Sequence, residues 1–262
     1  MQRDKRRHHF VPVSYLEPWK NSRGLLTVQR HEGGRLVSVF TPKPEAVFFE
    51  RGLYDMSRLS FPVEADLLES GLFASGFEAG YVAIRRGTID LDALPNRDQT
   101  KWLAECCLTL YFRNPRFHQM ATAFYEFVGE HDADVRHVGA ATMVLSLGLA
   151  RENLKTCRLT LFRACGNQRF WTSDAPCWQW QMLDKGTRPT TDLVALESAI
   201  AAGHVRTTPW LCPLSPQWAL EIRPTPTKRG TVNVEEIGDA RVTELNQCIV
   251  LVANRFRVEP PV

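Results

Sequence analysis

The chain has 262 residues, of which 44% are hydrophobic, 23% charged and 10% aromatic, an ordinary globular composition that excludes a fibrous, low-complexity or disordered protein. A chain of this length buries roughly 70–75% of the surface its unfolded form exposes, so it folds without a disulfide or metal staple. The net charge of +3 sits in the first ten residues, where Arg3, Lys5, Arg6 and Arg7 outnumber Asp4; the body is neutral, and the isoelectric point of 8.5 falls short of the roughly 9 of a dedicated nucleic-acid domain.

In chain order, the basic arm of residues 1–7 comes first. No apolar run follows it, so it does not read as a signal peptide, and the longest weakly polar stretch, 140–150, is too short to span a bilayer. The expected compartment is the cytoplasm. Next come His8-His9-Phe10-Val11-Pro12 and a short helical turn over 14–19. Residues 25–31 and 36–41 read as strands, and Gly33-Gly34 between them makes a hairpin. A helical part follows, from about 62 to 149. Residues 63–86 have helical spacing broken by Gly71 and Gly76, and Ser75 and Glu78 are spaced as a capping box. The clearest helix is 98–113, where Trp102, Leu103, Cys106, Cys107 and Leu110 recur at helical spacing; Asn114-Pro115 ends it. Helices over 116–129 and 135–148 complete this part. From about 155 the chain is rich in strands: 158–163, 169–171, 178–182 and 218–222, with helices over 192–202 and 240–256. No repeat or long linker divides the chain, which reads as one compact domain over 1–262. Its class is α+β: an N-terminal hairpin, a central helical region, and a C-terminal mostly antiparallel sheet with a terminal helix. The seven cysteines are odd in number and lack C-x-x-C spacing, so they read as small buried hydrophobes, neither a disulfide framework nor a zinc site.

Several polar residues sit where chemistry is expected. His8 and His9 could supply an acid/base and a phosphate or metal contact, or could anchor the arm by hydrogen bonds. Histidine pairs before Val-Pro also open some ββα-metal nucleases, but between the downstream Asn21 and His31 this chain places a hairpin pattern. Arg113 shares the apolar arc of its helix, and a guanidinium there must find a carboxylate, a phosphate or carbonyls. It reads as an anion-binding group at the rim of a pocket or as a cation at a helix C-terminus. Ser173-Asp174 follows a strand, a place for a catalytic carboxylate and equally for an Asx turn. Asn246 lies within an apolar helix, and its amide needs partners. The arm Arg3, Lys5, Arg6 and Arg7 could contact nucleic acid or a nucleotide or remain solvated. Walker, G-x-G-x-x-G, H-E-x-x-H and G-x-S-x-G signatures are absent from the sequence.

Five segments together form a pattern: His8-His9-Phe10-Val11-Pro12 with Tyr15-Leu16; Arg113-Asn114-Pro115; Phe170-Trp171-Thr172-Ser173-Asp174-Ala175-Pro176; Pro213-Leu214-Ser215-Pro216; and Leu245-Asn246. In this order and spacing the chain resembles the bacterial family called domain of unknown function 4238, over nearly its whole length. The family usually shows Asn where Ala175 stands. The resemblance implies a shared domain and brings no activity, cofactor or substrate with it.

Two function classes follow. One is a hydrolase acting on a phosphate-containing substrate, nucleic acid or nucleotide. In it His8 or His9 is the acid/base, Asp174 orients the histidine or binds a divalent metal, and Arg113, Asn114, Ser173 and Asn246 hold the substrate. The other is a non-catalytic binding or interaction protein, defence- or toxin-associated, in which the same residues form a structural network. The sequence assigns neither a cofactor nor an oligomeric state.

Overall fold

The computed structural model describes residues 7–51, 53, 78–87, 89–93, 95–119, 154–183, 186–189, 209–224, 231–253 and 255–261. Over these the protein is α+β. Strand β1 (Arg7–His9) leads into helix α1 (Val13–Leu16), continued by a 3-10 turn at Glu17–Trp19. The hairpin of β2 (Thr27–Glu32) and β3 (Arg35–Phe40) follows, then β4 (Phe49–Arg51). Helices α2 (Glu78–Arg85) and α3 (Arg97–Arg113) precede β5 (Cys157–Ala164), β6 (Thr172–Ser173), β7 (Trp178–Leu183) and β8 (Gly186–Pro189). The chain closes with β9 (Trp210–Pro213), β10 (Trp218–Pro224), β11 (Val232–Ile237), helix α4 (Asp239–Val252) and β12 (Phe256–Glu259). Arm residues Arg3, Lys5 and Arg6, the box at Ser75, the breaks at Gly71 and Gly76, and the helices expected over 135–148 and 192–202 lie outside the described residues, as does the helix over 116–129 beyond residue 119. Among the described residues no helix is long and apolar enough to cross a membrane.

Among the described residues the strands form three sheets, ordered β11-β5-β10-β9-β7-β8, β3-β2-β12-β6 and β1-β4. All pairings are antiparallel except β11 with β5. Strand β5 is buried on both faces from Leu159 to Phe162, where it lies between two cores. Leu159 and Leu161 point into the core shared with α1, α3 and the four-stranded sheet. Phe162 and Ala164 point into a second core, where Val242, Leu245, Ile249 and Val252 of α4 lie on the other face. Helix α3 starts at a reciprocal cap: the Asn96 side chain accepts from the Gln99 amide and the Gln99 side chain accepts from the Asn96 amide, each at 2.9 Å.

Two expectations are corrected. Residues 169–171 do not form a strand. Their main chain is satisfied elsewhere: the Trp171 amide donates to Asn246 Oδ1 at 3.0 Å, the Arg169 carbonyl accepts from Asn246 Nδ2 at 2.8 Å, and the Phe170 amide donates to the Pro216 carbonyl at 2.8 Å. Phe256 does not continue the last helix, which ends at Val252. The chain instead turns into β12, and Phe256 pairs with Arg30 on β2. The N-terminal hairpin is thus part of a sheet whose third strand is the C-terminus.

Candidate functional site

Of the described residues singled out by the sequence, His8, His9, Arg113, Asn114, Ser173 and Asp174 lie along the seam where β1, the end of α3, β6 and the start of β12 meet, and Asn246 of α4 bonds to the segment entering β6. Arg113, in the last turn of α3, is fully buried. Its Nη1 donates to Glu78 Oε1 on α2 at 2.9 Å and its Nη2 donates to the His9 carbonyl. It stands inside the core. Glu78, which its spacing from Ser75 marks as a capping residue, is its carboxylate partner. The signal that could have found this role of Glu78 is the arginine itself, because a buried guanidinium requires an anion.

Asn114 ends α3 in an extended conformation. Its Nδ2 donates to the Asp174 carbonyl at 2.9 Å, and its Oδ1 accepts from the Arg116 amide at 2.8 Å. Ser173 Oγ accepts from the Ala175 amide at 3.1 Å. Asp174 reaches across to β12. Its Oδ2 accepts from the amides of Arg255 and Phe256 at 2.8 and 3.3 Å, while its own amide donates to the Phe256 carbonyl at 3.1 Å. Two more cations lie near this carboxylate: burial lowers the pKa of Arg116 and of Arg257, and the attraction of Asp174 opposes the shift in each case. Asn246 clamps both polar groups of the 169–171 backbone. All of these side chains are bound to main chain.

Tyr15 belongs to the same seam. Its hydroxyl donates to the Pro213 carbonyl and meets the Thr172 hydroxyl, each at 2.8 Å. Trp19 Nε1 donates to the Phe170 carbonyl at 3.2 Å. Burial holds the Tyr15 pKa well up, and the thiols of Cys107 and Cys212 beside it are raised for the same reason. These groups stay neutral and act as packing.

The two histidines part company. His8 is buried. On the two-stranded ribbon it lies opposite Glu50, while His9 lies opposite Phe49 and therefore on the other face. His9 is half-buried, with Nε2 3.3 Å from the Glu45 carbonyl and its ring edge-on to Phe49. Backbone and side-chain bonds thus connect His9 to Arg113, and Asn114 to Asp174, but the imidazole of His9 is turned to the surface while Asp174 reaches inward to β12. Among the described residues no group of three or more histidine, cysteine, aspartate or glutamate side chains is arranged to hold a metal ion.

The hydrogen bonds link each of the five segments to another. Arg113 ties the second to the first through His9, and Asn114 ties the second to the third through Asp174. Tyr15 ties the first to the third and fourth through Thr172 and Pro213. Asn246 ties the last to the third through Trp171. A family model described as Protein of unknown function (DUF4238) matches residues 7–258. The chain belongs to this family. No curated protein and no solved structure matches the chain. Within the DUF4238 domain, then, Tyr15, Arg113, Asn114 and Asn246 of these segments make bonds that close the fold between elements distant in sequence.

Proposed function

We propose that the protein is a non-catalytic nucleic-acid-binding protein, a single cytoplasmic domain whose buried polar residues hold the fold while the ligand is met at the basic N-terminal surface. The observation that carries this reading is the bonding of Arg113, Asn114, Asp174 and Asn246 to main-chain atoms distant in sequence. Buried polar groups bound in this way rigidify a core. A hydrolase needs an acid/base, an anion holder and a carboxylate around one hollow. Here the guanidinium is enclosed, and the imidazole of His9 and the carboxylate of Asp174 point to different surroundings. The charge balance supports a polyanionic ligand, since the excess cations are those of the arm. The cytoplasmic assignment is supported by seven cysteines that are all unbridged.

The test uses the purified full chain with fluorescently labelled DNA and RNA, as single strands and duplexes, with and without magnesium or manganese. Saturable binding that weakens with salt and leaves the substrate intact is the expected result. Cleavage abolished by His9→Ala in a protein of unchanged Tm would overturn the non-catalytic reading. Absence of binding to every nucleic acid would overturn the ligand class.

A further inference from the structure

The bonds of the core leave one charged surface unexplained, the outer face of the β1–β4 ribbon. Its register places Arg7 opposite Arg51 and His9 opposite Phe49. Side chains alternate along a strand, so these four project from one face, and His8 and Glu50 from the other. Like charges directly opposite each other on paired strands are destabilising. Both arginines are exposed, and neither makes an ion pair with any described carboxylate. The Arg7 guanidinium lies 4.6 Å from the centre of the Phe49 ring, and the His9 ring meets the same ring at 5.8 Å. The segment that enters this ribbon carries Arg3, Lys5 and Arg6.

Two facing guanidiniums become a favourable arrangement when an anion lies between them, because each offers paired donors to a phosphate. The aromatic ring beside them adds a second requirement. Held over Phe49, the Arg7 plane offers a stacking surface to a base, and only an unpaired base can use it. A duplex supplies the phosphates but keeps its bases inside.

We propose that this face binds single-stranded nucleic acid, with a phosphate seated between Arg7 and Arg51 and an unstacked base lying on the Arg7–Phe49 pair. The proposal rests on the binding reading above and gives it a site and a strand class. It identifies Arg7, Arg51 and Phe49, none of which lies in the five segments, as ligand-binding residues.

The experiment measures anisotropy of labelled 20-nucleotide single strands and of the matching duplex over a salt series, with vesicles containing phosphatidylserine as a competitor. The variants are Arg51→Glu, Phe49→Leu and, as a charge control at the exposed Arg158 of β5, Arg158→Glu. Single strands are expected to bind at least tenfold more tightly than duplex. Arg51→Glu should weaken them at least tenfold and lower the salt slope by about 0.7 for each phosphate no longer neutralised; Phe49→Leu should weaken them several-fold, and Arg158→Glu should change binding less than twofold. Arg51→Glu should also leave Tm unchanged or raised, because it puts a carboxylate opposite Arg7; that separates a damaged binding face from a damaged fold. If single strands still bind unchanged to Arg51→Glu and Phe49→Leu, the site is wrong while the binding reading stands. Equal affinity for duplex overturns the strand class. Displacement by vesicles with no measurable affinity for any nucleic acid overturns the site and the binding reading together.

Discussion

Asp174 accepts two amides from the start of β12, and its own amide donates into the same strand. An ionised acceptor makes such bonds shorter and stronger than a neutral one, and removing it leaves part-buried N–H groups without this partner, the more costly side of the balance. Asp174→Ala is therefore expected to destabilise the fold by about 2–4 kcal/mol, which for a domain of this size lowers Tm by roughly 5–15 °C. Thermal unfolding followed by circular dichroism measures it. A fall of less than about 2 °C would mean that the amides find water and that the residue does not hold β12. Arg113 behaves by the same rule from the opposite charge: its guanidinium is enclosed, and its bonds to Glu78 and the His9 carbonyl are the condition for its being there.

Between helices, the tightest feature is the crossing of α2 on α3 at Gly80. A Cβ at this position would lie 2.5 Å from Cys106 Sγ, closer than packed atoms approach. Alanine is a better helix former than glycine by about 1 kcal/mol, so propensity alone predicts that Gly80→Ala stabilises. Overpacking costs about 1–3 kcal/mol and outweighs it, because Cys106 is buried and its short side chain has nowhere to go. We expect Gly80→Ala to lower stability, and Cys106→Ala to restore part of the loss when the two are combined. Chemical denaturation of the four proteins of the cycle gives the coupling; an additive double mutant would show that the helices simply move apart. The close approach could not be read from the chain, where Gly80 looks like a helix weakness. The same holds for the short strands. Strands β2, β5, β7 and β10 run six to eight residues and show in the pattern of their side chains. Strands β1, β4 and β6, of two or three residues, are created by their partners. At 169–171 a good strand composition is overruled by the amide of a distant Asn246. The polar residues themselves were legible, since buried Arg, Asp and Asn stand out among apolar neighbours; their partners were not, because nearly all are backbone atoms, which every residue has.

Across the molecule, acid acts on the fold through two histidines that face it from different sides. His118 follows the end of α3, and its amide donates to the Asn114 carbonyl at 3.3 Å; burial lowers its pKa to about 4. His31 on β2 has its pKa lowered by burial first and by Arg257 second, and its Nε2 lies 3.1 Å from Nη1 of that arginine on β12. In both cases the fold prefers neutral imidazole, whereas the unfolded chain titrates near 6.5. Each therefore contributes stability that is present in full above about pH 6.5 and is lost as pH falls toward the folded value, because the unfolded state then binds the extra proton. For His118 the window runs from about 6.5 down to about 4, and the full loss is about 3 kcal/mol at 1.36 kcal/mol per pH unit. His31 acts in the same direction, since its protonation sets an imidazolium against the Arg257 guanidinium, whose other arm donates to the Val250 carbonyl at the end of α4. Carboxylates titrate in the same range and would obscure the effect in the wild type alone, so the measurement is a difference. The stability of His118→Gln, neutral at every pH, is compared with wild type by denaturant unfolding from pH 7.5 to 4. The gap should change by about 3 kcal/mol in favour of the variant as pH falls, whatever its sign at neutral pH. A gap that stays constant across this range would show that His118 takes up its proton without opening the seam between α3 and the sheets.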